Sequence, residues 1–420
     1  VETKFENTLA EDVIKDFYTS AHPYAFLAIP TLSKAAGIYH TNPQLFYVPK
    51  QKALGDYNSE YGDELYMIVE RPEEGWIGYE SFGNPNHDIE STSGVFERLR
   101  RDEKYSLDES AYIRARIFDM LVGDWDRHED QWRWAEFEDE EGNHLFKPIP
   151  RDRDQVFSNF DGAFFNTLRG LTGFANQFAV YNEDIKDIEW FNTAAVGLDR
   201  SLIQNSGRDE WLKQAQYLQE HVTDEVIEEA FNNLPKETMG ESTQRIINSL
   251  KARRSNLVDI TKRYYDYFAE FAIISGTDKD DHIEIERLPE GKTRVTIFRI
   301  KGGEKADVVS NRVYDHEVTG ELWVYGLDDD DIFEVFGDAT PRILVRIIGG
   351  QNNDIYRLKN GRKVKVYDHK TLPNTIELNN GADIKLTDNY EVNVFDKDRK
   401  IYSTSAILPA VGYNPDDGFQ

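Results

Sequence analysis

Cysteine is absent from the 420 residues, which excludes disulfides, thiolate nucleophiles and Cys-ligated zinc. No apolar run approaches the roughly 20 residues that span a bilayer. The opening VETKFENTLAEDV also lacks the basic-then-apolar pattern of a signal peptide. Basic residues are scarce: 49 Lys and Arg stand against 77 Asp and Glu, a formal charge of −28. Association with a nucleic-acid backbone would begin against repulsion, so nucleic acid is excluded as a partner, and cations fit better. Two motifs are missing as well, the G-x-G-x-x-G phosphate loop and the G-H-x-H of metallophosphatases.

What is present reads as a folded chain. Hydrophobic residues make up 39% and aromatics 13%, too much apolar surface for a disordered protein. The length suffices for two or three domains with their own cores. The first hundred residues mix strand-like runs, QLFYVPK (44–50) and ELYMIVERP (64–72), with turns, as expected of a small sheet-bearing lobe. SLDESAYIRARIFDMLVG predicts a helix capped by Ser106 and Glu109 as a capping box. Its apolar face is Ile113, Ile117, Met120 and Leu121, and it stops at Gly123. HLFKPIPRDRDQVFS predicts a strand broken by prolines. From about 208 to 269 the period is helical, with Thr223 as a cap.

Near 270 the period changes to two, and strand-like runs continue to about 408. HIEIERLPEGKTRVTIFRI predicts a hairpin. LWVYGLDDDDIFEVFG (322–337) and LVRIIGGQNNDIYRLKNG (344–361) align with Gly326 on Gly349, Asp331 on Asp354 and Phe333 on Tyr356. A strand–acidic turn–strand unit recurring every 23 residues is expected to stack on itself. VYDH occurs twice, at 313–316 and 366–369, and the end, ILPAVGYNPDDGFQ, reads as cut in mid-architecture.

The densest chemistry is VGDWDRHEDQWRW (122–134), placed just after the predicted helix. Phosphoryl transfer needs a carboxylate to orient the acceptor, and carboxylate or amide oxygens to hold magnesium on the nucleotide phosphates. Asp126 lies five positions before Gln131, and Asp152 and Asp154 follow one hairpin later. Arg127 and His128 would act as positioning groups toward the bound nucleotide, and Lys50 or Lys52 as the nucleotide lysine. A structural account stands beside this one: Arg127, Arg133, Arg151 and Arg153 could neutralise the acids and fasten loops together.

GDWDRHEDQWRW followed by KPIPRDRDQVF resembles divergent kinase-fold families, most closely the spore-coat CotH kinases, over roughly residues 110–160. The resemblance implies an α+β fold, with a two-lobed protein-kinase-like module over 1–268 (small lobe about 1–100, helical lobe about 101–268). A β-rich, repeat-like module over 269–420 follows it. It also implies ATP with Mg2+ or Mn2+, Asp126 as the catalytic residue, and Gln131 and Asp152, with Asp154 as alternative, as metal ligands. HPYAFLAIPTLSKAAGIYHTNP, YVPKQKALGDYN and the two motifs above give a second resemblance. It is to the middle segment of large envelope proteins of Gram-negative bacteria, in which a calcineurin-like phosphoesterase domain precedes and a BamA-like outer-membrane barrel follows. That implies a periplasmic or outer-membrane-associated location and such a barrel or phosphoesterase domain as partner.

A competing expectation is an inactive scaffold or calcium-binding connector. In it, Asp331 and Asp354 hold Ca2+ in stacked turns, or those turns are simply acidic and solvated. His22, His40, His128 and His144 show no spacing that would cluster them on zinc.

Overall fold

The computed structural model describes residues 22–160 and 179–397, together with the backbone of 413–414 and 418–419. The expected strand-like runs from 398 to about 408 lie outside the described residues. The chain is α+β, and its last long helix gives way to strands at residue 270.

The N-terminal portion is built on a four-stranded sheet, β3 (Asp88–Ser91), β5 (Trp132–Glu138), β6 (His144–Pro150) and β4 (Tyr105–Leu107), in that spatial order. A separate hairpin, β1 (Gln44–Val48) with β2 (Glu64–Ile68), precedes it. β3 therefore does not belong to a self-contained small sheet, since its partner is β5, some 40 residues on. β6 runs unbroken through Pro148 and Pro150. Its second neighbour, β4, reaches only His144 to Phe146, so both prolines sit where the strand has a free edge and no N–H is needed.

The helix predicted after Ser106 starts later. Ser106 is drawn into β4, and Asp108 caps the helix by accepting from the Ala111 N–H (2.9 Å). Glu109 is freed to accept from the N–H groups of Gln204, Asn205 and Ser206. This helix, α1 (Glu109–Val122), buries Ile113, Ile117, Met120 and Leu121 completely and ends at Gly123 in the left-handed conformation. Helices α2 (Arg208–His221), α3 (Asp224–Phe231), α4 (Glu241–Ser255) and α5 (Leu257–Ala269) follow. Thr223 caps α3 through the Val226 N–H. The apolar faces of all five helices join one core with Trp132 and Trp134, and Tyr112 packs edge-on to the first ring and tilted to the second.

The C-terminal portion is a coil of strands that alternates between two sheets. One sheet has the order β17-β15-β13-β11-β7 and the other β10-β9-β8-β12-β14-β16. Successive coils are β7 (Phe271–Ser275) with β8 (Asp281–Arg287), then β11 (Glu321–Leu327) with β12 (Ile332–Phe336). β13 (Leu344–Gly350) with β14 (Asp354–Leu358), and β15 (Val364–Asp368) with β16 (Asn374–Asn379), complete the stack, and β17 (Asp383–Leu386) begins another turn. All neighbouring coils pair in parallel. The predicted repeat is visible in the register, with Leu322 beside Val345 and Phe333 beside Tyr356. More coils exist than the two copies the sequence displays. The hairpin β9 (Thr293–Lys301) with β10 (Glu304–Tyr314) interrupts the stack after the first coil. The two VYDH segments fall in different sheets and are not equivalent.

At one corner of every coil an aspartate points inward. Asp281, Asp331, Asp354 and Asp368 are buried. The N–H of Asp281 donates to Asp331 Oδ1 (2.8 Å), and the N–H of Asp331 donates to Asp354 Oδ1 (3.0 Å). Gly326 and Gly349 make the room: a Cβ on Gly349 would lie 2.3 Å from Asp354 Oδ2 and 2.6 Å from Asp368 Oδ2.

The two portions meet through ion pairs. Glu103 takes Lys301 at 2.7 Å and Arg299 at 3.3 Å, and Asp102 takes Lys279 at 2.6 Å.

Candidate functional site

Helix α1 delivers two buried acids to the start of the DWDRH loop, Asp119 in its last turn and Asp124 just beyond Gly123. A charge buried there must be paired, and three arginines do so: Arg116, whose Nη1 donates to Asp119 Oδ2 (2.7 Å), Arg127 and Arg153. Arg127 Nη1 donates to Asp124 Oδ2 (3.1 Å), while Arg153 Nη1 reaches Asp119 Oδ1 (2.7 Å) and Asp124 Oδ2 (3.1 Å). Arg127 also donates to the main-chain carbonyls of Arg151 (2.7 Å) and Gln131 (3.0 Å), with its guanidinium over the Trp132 ring. It thereby ties the 124–131 loop to the 151–154 turn. Burial pushes the Asp124 carboxyl up to about 6, against the pull of Arg127 and Arg153.

The fastening network expected from the sequence exists, then, but on different acids. Two of its four arginines, Arg127 and Arg153, pair with Asp119 and Asp124, which sequence reasoning passed over although Asp124 lies inside the motif, while Arg133 and Arg151 donate to the carbonyls of Trp132 and Asp130. Among the described residues, Asp126, Asp152 and Asp154 make no ion pair. These three carboxyls share one electrostatic neighbourhood. Asp154 is pushed above the usual range by partial burial, then by Asp152 and, more weakly, by Asp126. Asp152 holds φ at +51°, the left-handed region, which aspartate tolerates better than most residues and which is costly enough to recur at functional sites.

Gln131 is nearly buried and faces Asp152. Its carboxamide has two orientations. In one the NH2 lies 3.3 Å from Asp152 Oδ2 and 3.4 Å from His128 Nε2. In the other the NH2 donates to the carbonyls of Arg151 (3.1 Å) and Asp152 (3.2 Å), which satisfies more groups and turns the amide oxygen toward the Asp152 carboxylate. Two facing oxygens repel unless a cation or proton lies between them. The donor set of Gln131, Asp152 and Asp154 is therefore all oxygen, the type that hard divalent cations take.

A cavity of about 330 Å³ opens beside this turn. Arg151, Asp152 and Asp154 line one part of it, and Met67, Val69 and Arg71, at and beyond the end of β2, line another. Lys50 does not line it. It is exposed and pairs with Asp63 at 3.3 Å. The cation that the hairpin segment brings to the cavity is Arg71, a residue that no sequence motif marked. Asp126, Arg127, His128 and Gln131 do not line it either, and the Gln131 side chain meets its lining through Asp152.

Asp331 and Asp354 lie in the aspartate ladder of the coil, far along the chain from the DWDRH loop. Each keeps one buried Oδ2 without a hydrogen-bond partner. Among the described residues, two groups of His and acid residues bring ligand atoms within 4.8 Å of one another, His87 with Glu136 and His144, and His282 with Glu284 and Glu334. Neither group includes Asp331 or Asp354. The first contains His144, which no spacing in the sequence clusters, because its partner His87 is distant along the chain and meets it only through the pairing of β3, β5 and β6.

No family model matches the chain, and no curated protein gives a match to it.

Proposed function

We propose that the chain carries a divergent, CotH-like kinase-fold module, two-lobed over residues 1–268, which binds ATP with Mg2+ or Mn2+ beside the Asp152–Asp154 turn. The observation that supports this best is the division of labour among the acids. The arginines pair with Asp119 and Asp124 and leave Asp126, Asp152 and Asp154 without an ion pair among the described residues, and Asp152 and Asp154 line a cavity.

In this reading Gln131 and Asp152, with Asp154, hold the metal, which neutralises the phosphate oxygens. Arg71 and Arg151 face the phosphates, and Met67 and Val69 offer apolar surface to the base. Asp126, half-buried and without a hydrogen bond among the described residues, orients the acceptor hydroxyl. As the acceptor oxygen bonds to the γ-phosphorus and the bond to the β-phosphate oxygen breaks, the hydroxyl proton passes to Asp126 and ADP leaves.

The test is the melting temperature of the protein with ATP, with and without Mg2+ or Mn2+. Specific binding stabilises the native state by mass action, about 2.7 kcal/mol at a hundredfold excess over Kd. A metal-dependent rise that disappears in Asp152→Asn and survives in Asp126→Asn is expected. No rise with ATP and either metal would sink the nucleotide assignment.

A second reading, a connector without catalysis, is favoured by Arg127, both of whose terminal nitrogens donate within the loop and its neighbouring turn. It places Ca2+ rather than nucleotide on the acids, Asp331 and Asp354 among them, and predicts stabilisation by calcium alone. On either reading, an envelope location beside a phosphoesterase domain or an outer-membrane barrel rests on resemblance. No helix among the described residues is long and apolar enough to cross a membrane.

A further inference from the structure

At the far end of the β5–β6 hairpin from Gln131 and Asp152, three side chains converge on one point. Glu136, on β5, is completely buried. His144, at the start of β6, places Nδ1 2.7 Å from Glu136 Oε1. His87, just before β3, places Nε2 3.9 Å from the same oxygen. We infer that His87, Glu136 and His144 form a binding site for a divalent transition metal of the zinc class.

The geometry of each ligand supports this. His144 Nδ1 is buried and makes no hydrogen bond despite its closeness to Glu136, so its lone pair and the carboxylate face a common space. Ligands at about 2.0–2.1 Å from a tetrahedral zinc lie roughly 3.3 Å apart, between the two distances found here. The other ring nitrogen of His87, Nδ1, lies 3.1 Å from Glu138 Oε2. A proton held on Nδ1 by that carboxylate leaves Nε2 free to ligate, the carboxylate–histidine arrangement that orients metal-bound imidazoles. The His144 ring is fixed by stacking on Tyr105, with centroids 4.7 Å apart. Glu138 is fixed by Asn86, which accepts from its N–H and donates to its carbonyl, both at 2.9 Å.

Electrostatics favour a cation in spite of Arg98. That guanidinium donates to both oxygens of Glu136, at 3.1 and 3.2 Å, and to Glu90. Glu90 and Glu136 thus share a single guanidinium while Glu138 lies beside His87, so three carboxylates stand against one guanidinium and two negative charges are in excess. A carboxylate oxygen has lone pairs enough to accept from Arg98 and to ligate a metal. Two imidazoles with one carboxylate select zinc-like ions over Mg2+ and Ca2+, which take oxygen. The half-exposed His87 side leaves a fourth position for water. The metal joins the segment before β3 to β5 and β6, and so braces the sheet that carries the DWDRH loop.

The test is a Co2+ titration of the tag-free chain, read by visible d–d absorption, with Zn2+ as competitor. One saturable site with tetrahedral-type intensity is expected. His87→Ala should weaken it at least a hundredfold with an unchanged circular-dichroism spectrum, and Glu138→Gln about tenfold. Glu334→Gln, in the second cluster, should leave it unaltered. Absence of a saturable signal, or equal affinity in wild type and His87→Ala, would overturn the assignment. Neither result bears on nucleotide binding.

Discussion

The main-chain N–H of Asp331 donates to the carboxylate of Asp354, one coil further on and 3.0 Å away. Asp354 is itself crowded by Asp368, and burial followed by that neighbour pushes its carboxyl up to about 8. Asp331 is pushed well above its usual range by burial, and then by Asp354 and Asp281.

The sign of the pH effect follows from those directions. A carboxyl whose folded pKa lies above its unfolded value of about 3.9 favours folding while protonated. Its contribution is full below pH 4 and is lost as the pH rises toward 8. Asp354→Asn keeps an acceptor for the Asp331 N–H and adds a donor toward Asp368. It should melt higher than wild type at pH 8, by about 1–3 kcal/mol in stability, with the difference shrinking toward pH 5. Thermal melts of both proteins across that range decide it, and a constant difference would count against protonated rungs.

The glycines beside the ladder should be intolerant of any side chain. A Cβ on Gly326 would lie 2.2 Å from Asp331 Oδ2 and 2.4 Å from the Gly349 carbonyl. Gly326→Ala and Gly349→Ala should each cost about 1–3 kcal/mol, the usual scale of overpacking. Urea unfolding measures this, with Gly302→Ala as control: its φ of +64° makes alanine strained there, but no atom lies within 4 Å of its Cβ.

Arg127 and its neighbour Asp126 should separate stability from function. Removing Arg127 leaves the buried Asp124 with Arg153 alone and takes a donor from the carbonyls of Arg151 and Gln131, so Arg127→Ala should lose about 3 kcal/mol. Asp126→Asn disturbs no pair among the described residues and should stay within about 0.5 kcal/mol of wild type. Comparable losses in the two variants, by denaturant titration, would mean that Asp126 is part of the fastening.

Periodicity made much of this fold legible. The burial of Ile113, Ile117 and Met120, the Thr223 cap, and the stacking of Phe333 on Tyr356 at 5.3 Å all follow from patterns within one or two elements. What escaped depends on pairing across long separations. Ser106 looks like a cap until β4 claims it for β6, and the prolines of β6 look disruptive until the edge they occupy is known. The site was legible as a set of polar residues but not in its wiring. Nothing local says that Arg153 turns to Asp119 and Asp124 rather than to Asp152 or Asp154 beside it.

The coil also has unequal ends. Its first turn is held to the helical portion by the lysines and arginine on Asp102 and Glu103, and by the β10 contacts of Ser310 and Arg312 with residues 203–205. Each later turn pairs in parallel with the turn before it, and the β16 face exposes Ile376 and Leu378. In such a stack stability is a sum of nearest-neighbour terms. Opening is therefore expected to run inward from β16 like fraying rope, with the anchored first coil the last to come apart.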